Sequence, residues 1–302
     1  DLIPAFGDSR VAIVQAPQDY RDGDASAFKS MCIAEYAGFF HIGMITRNER
    51  NAIIQHGTMT MVRRGALEAA GGWAEWCITE DAELGLRLFE EGHEALYIPR
   101  TYGRGLMPDS FADFRKQRFR WAFGAVSIIR RDYQRFLALK PSKLTAGQRY
   151  HFFAGWLPWL ADGFNLLFNF AALAWSVGMV AFPNDFTPPR VSIASIPIVL
   201  FAFKLTKSLL LYRRRIAATL RQSLAAALAG LALSHTIARA VWAAFSGRSQ
   251  GFFRTPKLAC SSSLAGAASA VREELLFLVA LWLSAAFVLM RDDAYMLDVR
   301  VW

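Results

Sequence analysis

The sequence predicts a mixed α/β domain followed by an α-helical membrane region. The first 150 of the 302 residues alternate charged and apolar positions, as a soluble α/β domain does. The remainder contains apolar runs that are long enough to cross a bilayer. The net charge of +9 includes arginines beside these runs, such as residues 213–215, which fits attraction to anionic lipid. We therefore expect membrane lipid, and not nucleic acid, as the partner of the basic residues.

Cysteine usage argues against a disulfide framework and against a zinc site. The three cysteines, Cys32, Cys77 and Cys260, are odd in number and show no paired metal-ligand spacing. The sequence therefore predicts no metal ligands among them, and it fits a reducing, cytosolic environment.

The first elements of the α/β part follow from apolar patterning. Residues 10–15 form an apolar run that predicts a short buried strand, which Pro17 ends. Residues 31–45 are apolar and aromatic, with Glu35 as their one charge, and predict a helix or a packed segment. Residues 56–62 alternate like a strand.

A turn, a helix and a strand follow. Gly71 and Gly72 turn the chain, and Thr79 is a candidate N-cap for a helix that runs to Glu90. Gly92 ends this helix, and residues 95–98 predict the next strand.

Glu80 and Asp81 lie in the first turn of this helix and have two interpretations. Acidic residues there stabilise a helix by about 0.3–1 kcal/mol through its macrodipole, without any chemical role. A carboxylate at such a site can also serve as a general base. The position alone leaves both open.

A second helix, predicted to begin after Ser110, carries a basic and aromatic cluster. Gln117, Arg120 and Trp121 have the spacing i, i+3, i+4 and share one face. A guanidinium suits diphosphate oxygens, and an indole stacks on a sugar ring. The alternative is an amphipathic helix at the membrane surface. That alternative directs Phe111, Phe114 and Phe119 toward lipid, and Arg115, Lys116 and Arg118 toward headgroups.

The triplet Thr79-Glu80-Asp81, followed after thirty-five residues by Gln117-Arg-Phe-Arg-Trp121, resembles the signature of processive family-2 glycosyltransferases. This family includes bacterial cellulose, chitin and hyaluronan synthases. The resemblance covers roughly residues 5–290. Further segments that resemble the family occur in the same order as in its members: Val14-Gln-Ala-Pro-Gln18, His56-Gly-Thr58, Arg63-Arg64, Gly71-Gly72 and Gly105-Leu-Met-Pro-Asp109.

The resemblance implies a GT-A-type catalytic domain and assigns roles to the motif residues. Asp81 would be the general base, within a catalytic triplet that includes Thr79 and Glu80. The diphosphate and the acceptor sugar would be held by Gln117, Arg120 and Trp121, and the acceptor site would be lined by Gly57 and Thr58.

A later segment, residues 251–258, resembles the gating loop of cellulose synthases. Phe252, Thr255 and Lys257 match the Phe-x-Val-Thr-Pro-Lys element, whereas Arg254 replaces its valine. This difference leaves the sugar and the linkage undetermined.

The resemblance also places a nucleotide-binding half, with an Asp-x-Asp metal pair, before the strand at residue 11. Only ten residues precede that strand. We therefore expect a fragment that lacks this half and is inactive alone, and we expect the ligands of Mg²⁺ or Mn²⁺ to lie in the missing part. Asp22-Gly-Asp24 is predicted to be a turn.

These interpretations divide the chain into a partial catalytic domain (residues 1–110), an interfacial helix region (111–150) and a transmembrane region (151–302). Loop charge predicts crossings at three of the four apolar segments, with the fourth lying in the interface. The crossings are 152–182, 191–211 and 275–290, and the interfacial segment is 223–246.

The expected function is inverting transfer of a sugar from a nucleotide sugar, expected to be UDP-linked, to a growing β-linked polysaccharide, with export of the product. The expected location is a bacterial inner membrane, with the catalytic part in the cytoplasm. Two alternatives remain open: a non-catalytic membrane scaffold or partner subunit, and a transferase of single sugars to a lipid carrier.

Overall fold

The computed structural model describes residues 2–247, 251, 268–290 and 296–302. The chain forms two compact units. The first contains Asp1–Gly163 and Tyr212–Cys260, and the second contains Phe164–Leu211 and Ser261–Trp302. The first unit is mixed α/β with few strands, and the second is helical.

A three-stranded sheet lies at the centre of the first unit. Its middle strand, β1 (Val11–Gln15), pairs antiparallel with β3 (Thr60–Val62) and parallel with β4 (Glu94–Tyr97). All five residues of β1 are buried, because an apolar run in a central strand is covered on both faces. A second, parallel pair joins β2 (Asp19–Tyr20) to β5 (Arg104–Gly105).

The predicted strands at 10–15 and 95–98 are confirmed within one residue. The predicted strand at 56–62 is wrong in its first half, because only Thr60–Val62 pairs with β1. Met59 has a φ of 54°, in the left-handed region, which is incompatible with an extended strand.

The first unit also contains helices. Those that precede residue 137 are α1 (Ala27–Gly38), α2 (Ile45–Asn48), α3 (Arg64–Ala69), α4 (Glu80–Glu90) and α5 (Phe111–Phe136). Ser26 caps α1, Ser110 caps α5, and their hydroxyls accept hydrogen bonds from the Lys29 and Asp113 backbone N–H groups. Helix α1 continues through a π-helical turn, Phe39–Met44, into α2.

The core of the first unit joins α4, α5 and α8 (Leu220–Phe245) to the sheet. Leu84 and Leu88 of α4 are fully buried, as are Val126 and Ile128 of α5. From α8, buried alanines and aliphatic residues enter the same cluster, so this apolar helix is part of the α/β unit.

Within the described part of the chain, three helices are long and apolar enough to cross a membrane by length and composition. They are α6 (Ala146–Ala181), α7 (Val191–Ile216) and α8. The predicted crossing at 275–290 forms α9 (Arg272–Leu289), which is not among them; its 18 residues include Arg272, Glu273 and Glu274. The last helix, α10, spans Met296–Val301. Three apolar helices indicate a membrane protein.

Candidate active site

The carboxylate of Asp81 lies at the N-terminus of α4, against a neighbouring loop. The helix begins at Glu80, as the sequence predicts. Oδ1 of Asp81 accepts a hydrogen bond from the Ala82 backbone N–H (2.8 Å), and Oδ2 accepts one from the Gly57 backbone N–H (2.6 Å). The structure thus brings together two residues that the sequence assigns to one site, Asp81 and Gly57.

Thr79 occupies the N-cap position but does not cap the helix through its side chain. Its hydroxyl lies 3.4 Å from Sγ of Cys77 instead. The predicted position is therefore confirmed, and the capping hydrogen bond is not formed.

Burial makes the two carboxyl groups of the triplet more basic. It raises the pKa of Asp81, and the hydrogen bonds from Ala82 and Gly57 only partly oppose this effect. Burial also raises the pKa of Glu80. The negative charge of Asp81 raises it further, and the positive charge of Arg120 lowers it. A carboxylate with a raised pKa is a stronger proton acceptor, as a general base requires.

The α5 face carrying Gln117 and Trp121 packs against α1 and the loop before β3. The hydroxyl of Tyr36 donates a hydrogen bond to Oε1 of Gln117. The Trp121 ring meets Tyr36 edge-on (centroids 5.7 Å apart) and stacks with His56 (6.1 Å, 23° between planes). Because His56 precedes Gly57, one loop contacts both Trp121 and the base candidate.

Arg120 lies within electrostatic range of the triplet. Burial lowers the pKa of Arg120, and the charge of Glu80 opposes this shift. The predicted face of α5 is thereby linked to the N-terminus of α4 through Glu80.

Arg118 is a candidate that the sequence interpretation missed. It is 5% exposed, forms an ion pair with Glu35, and its guanidinium carbon lies 4.2 Å from the Tyr36 ring centroid and 4.4 Å from that of Trp121. The membrane-surface alternative, which directs Arg118 toward headgroups, is wrong for this residue. The spacing of i, i+4 between Phe114 and Arg118 indicates the burial of Arg118, because Phe114 is fully buried on the same face of the helix.

Gly57 and Thr58 are exposed and accessible to a ligand. Oγ1 of Thr58 accepts a hydrogen bond from Nε2 of Gln18, and Oε1 of Gln18 accepts one from the Tyr20 hydroxyl (2.9 Å). The loop therefore presents backbone and a hydroxyl group beside Asp81.

No group of three His, Cys, Asp or Glu side chains among the described residues could hold a metal ion. Asp22 pairs with Lys29 (2.6 Å) and lies in a turn, as predicted. The described residues therefore do not fit the Mg²⁺ or Mn²⁺ that the family resemblance implies. Phe252, Thr255 and Lys257 lie outside the described residues.

Comparison with known proteins identifies the family. Residues 1–187 match the family model described as glycosyl transferase family group 2. The cellulose synthase 1 catalytic subunit [UDP-forming] of Komagataeibacter xylinus is 29% identical over an alignment of 197 residues, which covers 59% of this chain and 26% of the relative.

Two further relatives are shorter matches. The cellulose synthase catalytic subunit [UDP-forming] of Xanthomonas axonopodis pv. citri is 34% identical over 108 residues, 35% of this chain and 15% of the relative. The poly-beta-1,6-N-acetyl-D-glucosamine synthase of Staphylococcus epidermidis is 32% identical over 114 residues, 37% and 27% of the two chains. The chain thus spans between 15% and 27% of the length of these relatives.

Proposed function

The chain belongs to the glycosyl transferase family group 2, and we propose that the full-length protein adds sugars from a UDP-linked donor to the growing end of a β-linked polysaccharide. The proposal includes inversion at the anomeric carbon and export of the product across a bacterial inner membrane. The observation that carries it is the Asp81 carboxylate, held by the Gly57 N–H beside an exposed loop.

Asp81 acts as the general base. The acceptor hydroxyl attacks the anomeric carbon of the donor while its proton passes to the Asp81 carboxylate, and the bond from that carbon to the diphosphate oxygen breaks. One displacement of this kind converts an α-linked donor into a β-linked product. A positioned base contributes about 10²- to 10⁴-fold to the rate, and the raised pKa of Asp81 supports this role.

The α5 residues bind the two substrates on either side of the reacting atoms. Trp121 stacks on the acceptor sugar, whose hydroxyl then faces the loop of Gly57 and Thr58. Arg120 pairs with the diphosphate, where negative charge increases as the bond breaks. Gln117, whose carboxamide is fixed by Tyr36, donates its N–H groups to sugar or phosphate oxygens.

The apolar helices support the export part of the proposal. The catalytic unit faces the cytosol, which contains the sugar nucleotides, and the product leaves on the opposite side. Residues 251–258, with Phe252, Thr255 and Lys257, gate the site in this proposal.

Replacing Asp81 with Asn tests the assignment. In membranes that contain the full-length protein, incorporation of labelled sugar from UDP-glucose or UDP-N-acetylglucosamine should fall at least about 10²-fold, because the amide cannot accept the proton. Asp132→Asn is the matched control, since burial also raises the pKa of Asp132, which pairs with Arg135 on α5. Near-normal incorporation by Asp81→Asn would overturn the role of Asp81.

The product distinguishes the polymer from the alternatives. A polysaccharide should stay in the aqueous phase on extraction, yield to a β-glycosidase and accumulate on the side of sealed vesicles opposite to the donor. Label that partitions into organic solvent would indicate transfer to a lipid carrier. Absence of any transfer by the full-length wild-type protein would favour the scaffold alternative.

A further inference from the structure

Gln15 is a fully buried polar residue at the end of the central strand. Its exposed fraction is 0%, and it follows four apolar residues of β1. A buried carboxamide usually has hydrogen-bond partners, because an unsatisfied one destabilises the fold. The partners of Gln15 therefore show what the residue is placed there to hold.

The partners lie in the loop that precedes β3. Oε1 of Gln15 accepts a hydrogen bond from the His56 backbone N–H (2.9 Å). Nε2 donates to the backbone carbonyl of Thr58 (2.9 Å), and it lies 3.1 Å from the carbonyl oxygen of Met59 and 2.9 Å from that of Ala16. The carboxamide thus holds the backbone on both sides of Gly57.

Gly57 itself is exposed, and its N–H donates to Oδ2 of Asp81. The direction of this N–H depends on the peptide units of residues 56–59, which the Gln15 carboxamide fixes. The left-handed conformation of Met59 belongs to the same bend. A short chain of contacts therefore leads from the buried end of β1 to the Asp81 carboxylate.

We propose that Gln15 is a positioning residue for sugar transfer, which fixes the 56–59 loop so that the Gly57 N–H orients the carboxylate of Asp81. The inference rests on the function proposed above. Gln15 touches no substrate and acts through Gly57. A primary amide suits the task because it accepts from one side of the bend and donates to the other, whereas a methionine of similar size does neither.

Loss of this bend would change the chemistry of Asp81 as well as its place. The Gly57 hydrogen bond lowers the pKa of Asp81, in opposition to burial. Without it the pKa rises further, and the carboxylate accepts its catalytic proton only at higher pH. The acid limb of the rate profile follows the deprotonation of a general base.

The test compares Gln15→Met with Gln148→Met in the membrane-embedded protein. Gln148 is also buried, at 3% exposure, and its carboxamide bonds to the Asn51 carbonyl (2.8 Å) and the Thr145 N–H (2.9 Å), away from Asp81. Both variants should lose thermal stability. Only Gln15→Met should move the acid limb of kcat/KM upward, by about one pH unit, which corresponds to a lost hydrogen bond to a charged group.

A second variant, Gln15→Glu, tests the same role if the Gln15→Met protein does not fold in sufficient amount. Gln15→Glu keeps an acceptor for the His56 N–H but, when ionised, cannot donate to the Thr58 carbonyl, so the limb should move in the same direction. Hydrogen exchange of a peptide covering residues 53–62 should also be faster than in the wild type.

The outcomes separate this inference from the proposed function. If the wild-type protein transfers sugar and Asp81→Asn does not, the function stands. A Gln15 variant whose acid limb and loop exchange match those of Gln148→Met then overturns the positioning role alone. If the full-length wild-type protein transfers no sugar from either donor, the proposed function fails first, and unchanged exchange in the loop of Gln15→Met overturns the structural part of the inference independently.

Discussion

Gly124, in the middle of α5, lies directly against the side chain of Thr79 at the start of α4. A Cβ atom at position 124 would come within 2.8 Å of the Thr79 Cβ. Glycine inside a helix costs about 0.5–1 kcal/mol relative to alanine. Because Gly124 has no side chain, the helix with Gln117, Arg120 and Trp121 can approach the Thr79-Glu80-Asp81 triplet.

Replacing Gly124 with Ala should therefore separate α5 from α4. We expect a lower melting temperature and at least about tenfold less sugar transfer, because misplacement by about 1 Å can reduce a rate up to 10²-fold. Gly65→Ala is the control, since a Cβ at that position in α3 meets nothing within 4 Å. Wild-type stability and activity in Gly124→Ala would show that this contact is not needed.

The ion pair between the buried Arg118 and the half-buried Glu35 should contribute more to stability than an exposed ion pair does. Glu35→Gln leaves the guanidinium of Arg118 buried without its carboxylate, which should destabilise the fold by about 3–5 kcal/mol. In the control, Glu68→Gln, the lost pair with Arg64 is exposed (88% and 61%), and little change is expected. Thermal unfolding in detergent compares the two, and equal shifts would contradict a structural role for the Glu35 pair.

Much of the site follows from the sequence because its motifs are local. Glu80 and Asp81 lie in one helical turn, and Gln117 and Trp121 are four residues apart on another helix, so periodicity places each pair on one face. Periodicity does not predict which distant residue each of these side chains contacts. Glu35 and Arg118 are separated by 83 residues, and Gln15 and His56 by 41.

Gln15 and Arg118, which the motifs do not include, share a physical feature that is visible in the sequence. Gln15 is a polar residue at the end of an apolar strand, and Arg118 follows Phe114 on the apolar face of a helix. A buried polar group requires partners, so each position predicts a contact without naming it. Residues 56–59 form a bend and not the predicted strand, because alternating apolar and polar residues also occur in a bend whose backbone is held by a side chain.

Trp121 and Arg120 are adjacent in sequence, but replacing each of them with alanine should change a different kinetic constant. Trp121→Ala removes stacking on the acceptor sugar, and we expect lower kcat with little change in the donor KM. Arg120→Ala removes a charged partner of the diphosphate, and the donor KM should rise about tenfold or more, as the loss of a charged hydrogen bond implies. Steady-state kinetics on both variants measure this, with the exposed Lys116→Ala as control. Unchanged kinetics with reduced thermal stability in both would favour the membrane-surface alternative.

His56 should make the first unit less stable in acid. Burial, with the charges of Arg47 and Arg118, lowers the pKa of His56 to about 4, whereas the unfolded value is about 6.5. Between these values the unfolded state binds more protons, so stability is fully present above about pH 6.5 and falls as the pH drops toward 4. Melting temperatures of the wild type and His56→Gln over this range should converge on acidification. Parallel curves would mean that His56 does not titrate in this way.

The orientation of α8 decides whether the segment after it can reach the catalytic site. Length and composition allow this helix to cross a membrane, yet its Ala240 and Val241 are buried in the core of the α/β unit. Arg248, Arg254 and Lys257 follow it in the sequence, whereas residues 183–190 carry one arginine. Cationic loops are retained on the cytosolic side, so α8 should return the chain to that side.

Single cysteines at Asn184 and Ser249, in a background free of other cysteines, test this orientation with a thiol reagent that does not permeate intact cells. Asn184→Cys should label from outside, and Ser249→Cys only after the membrane is opened. Residue 249 lies outside the described residues, so the expectation rests on charge and on the packing of α8. Labelling of both from outside would mean that α8 crosses the bilayer. The Phe252, Thr255 and Lys257 element would then face away from the sugar nucleotide, and its gating role would have to be abandoned.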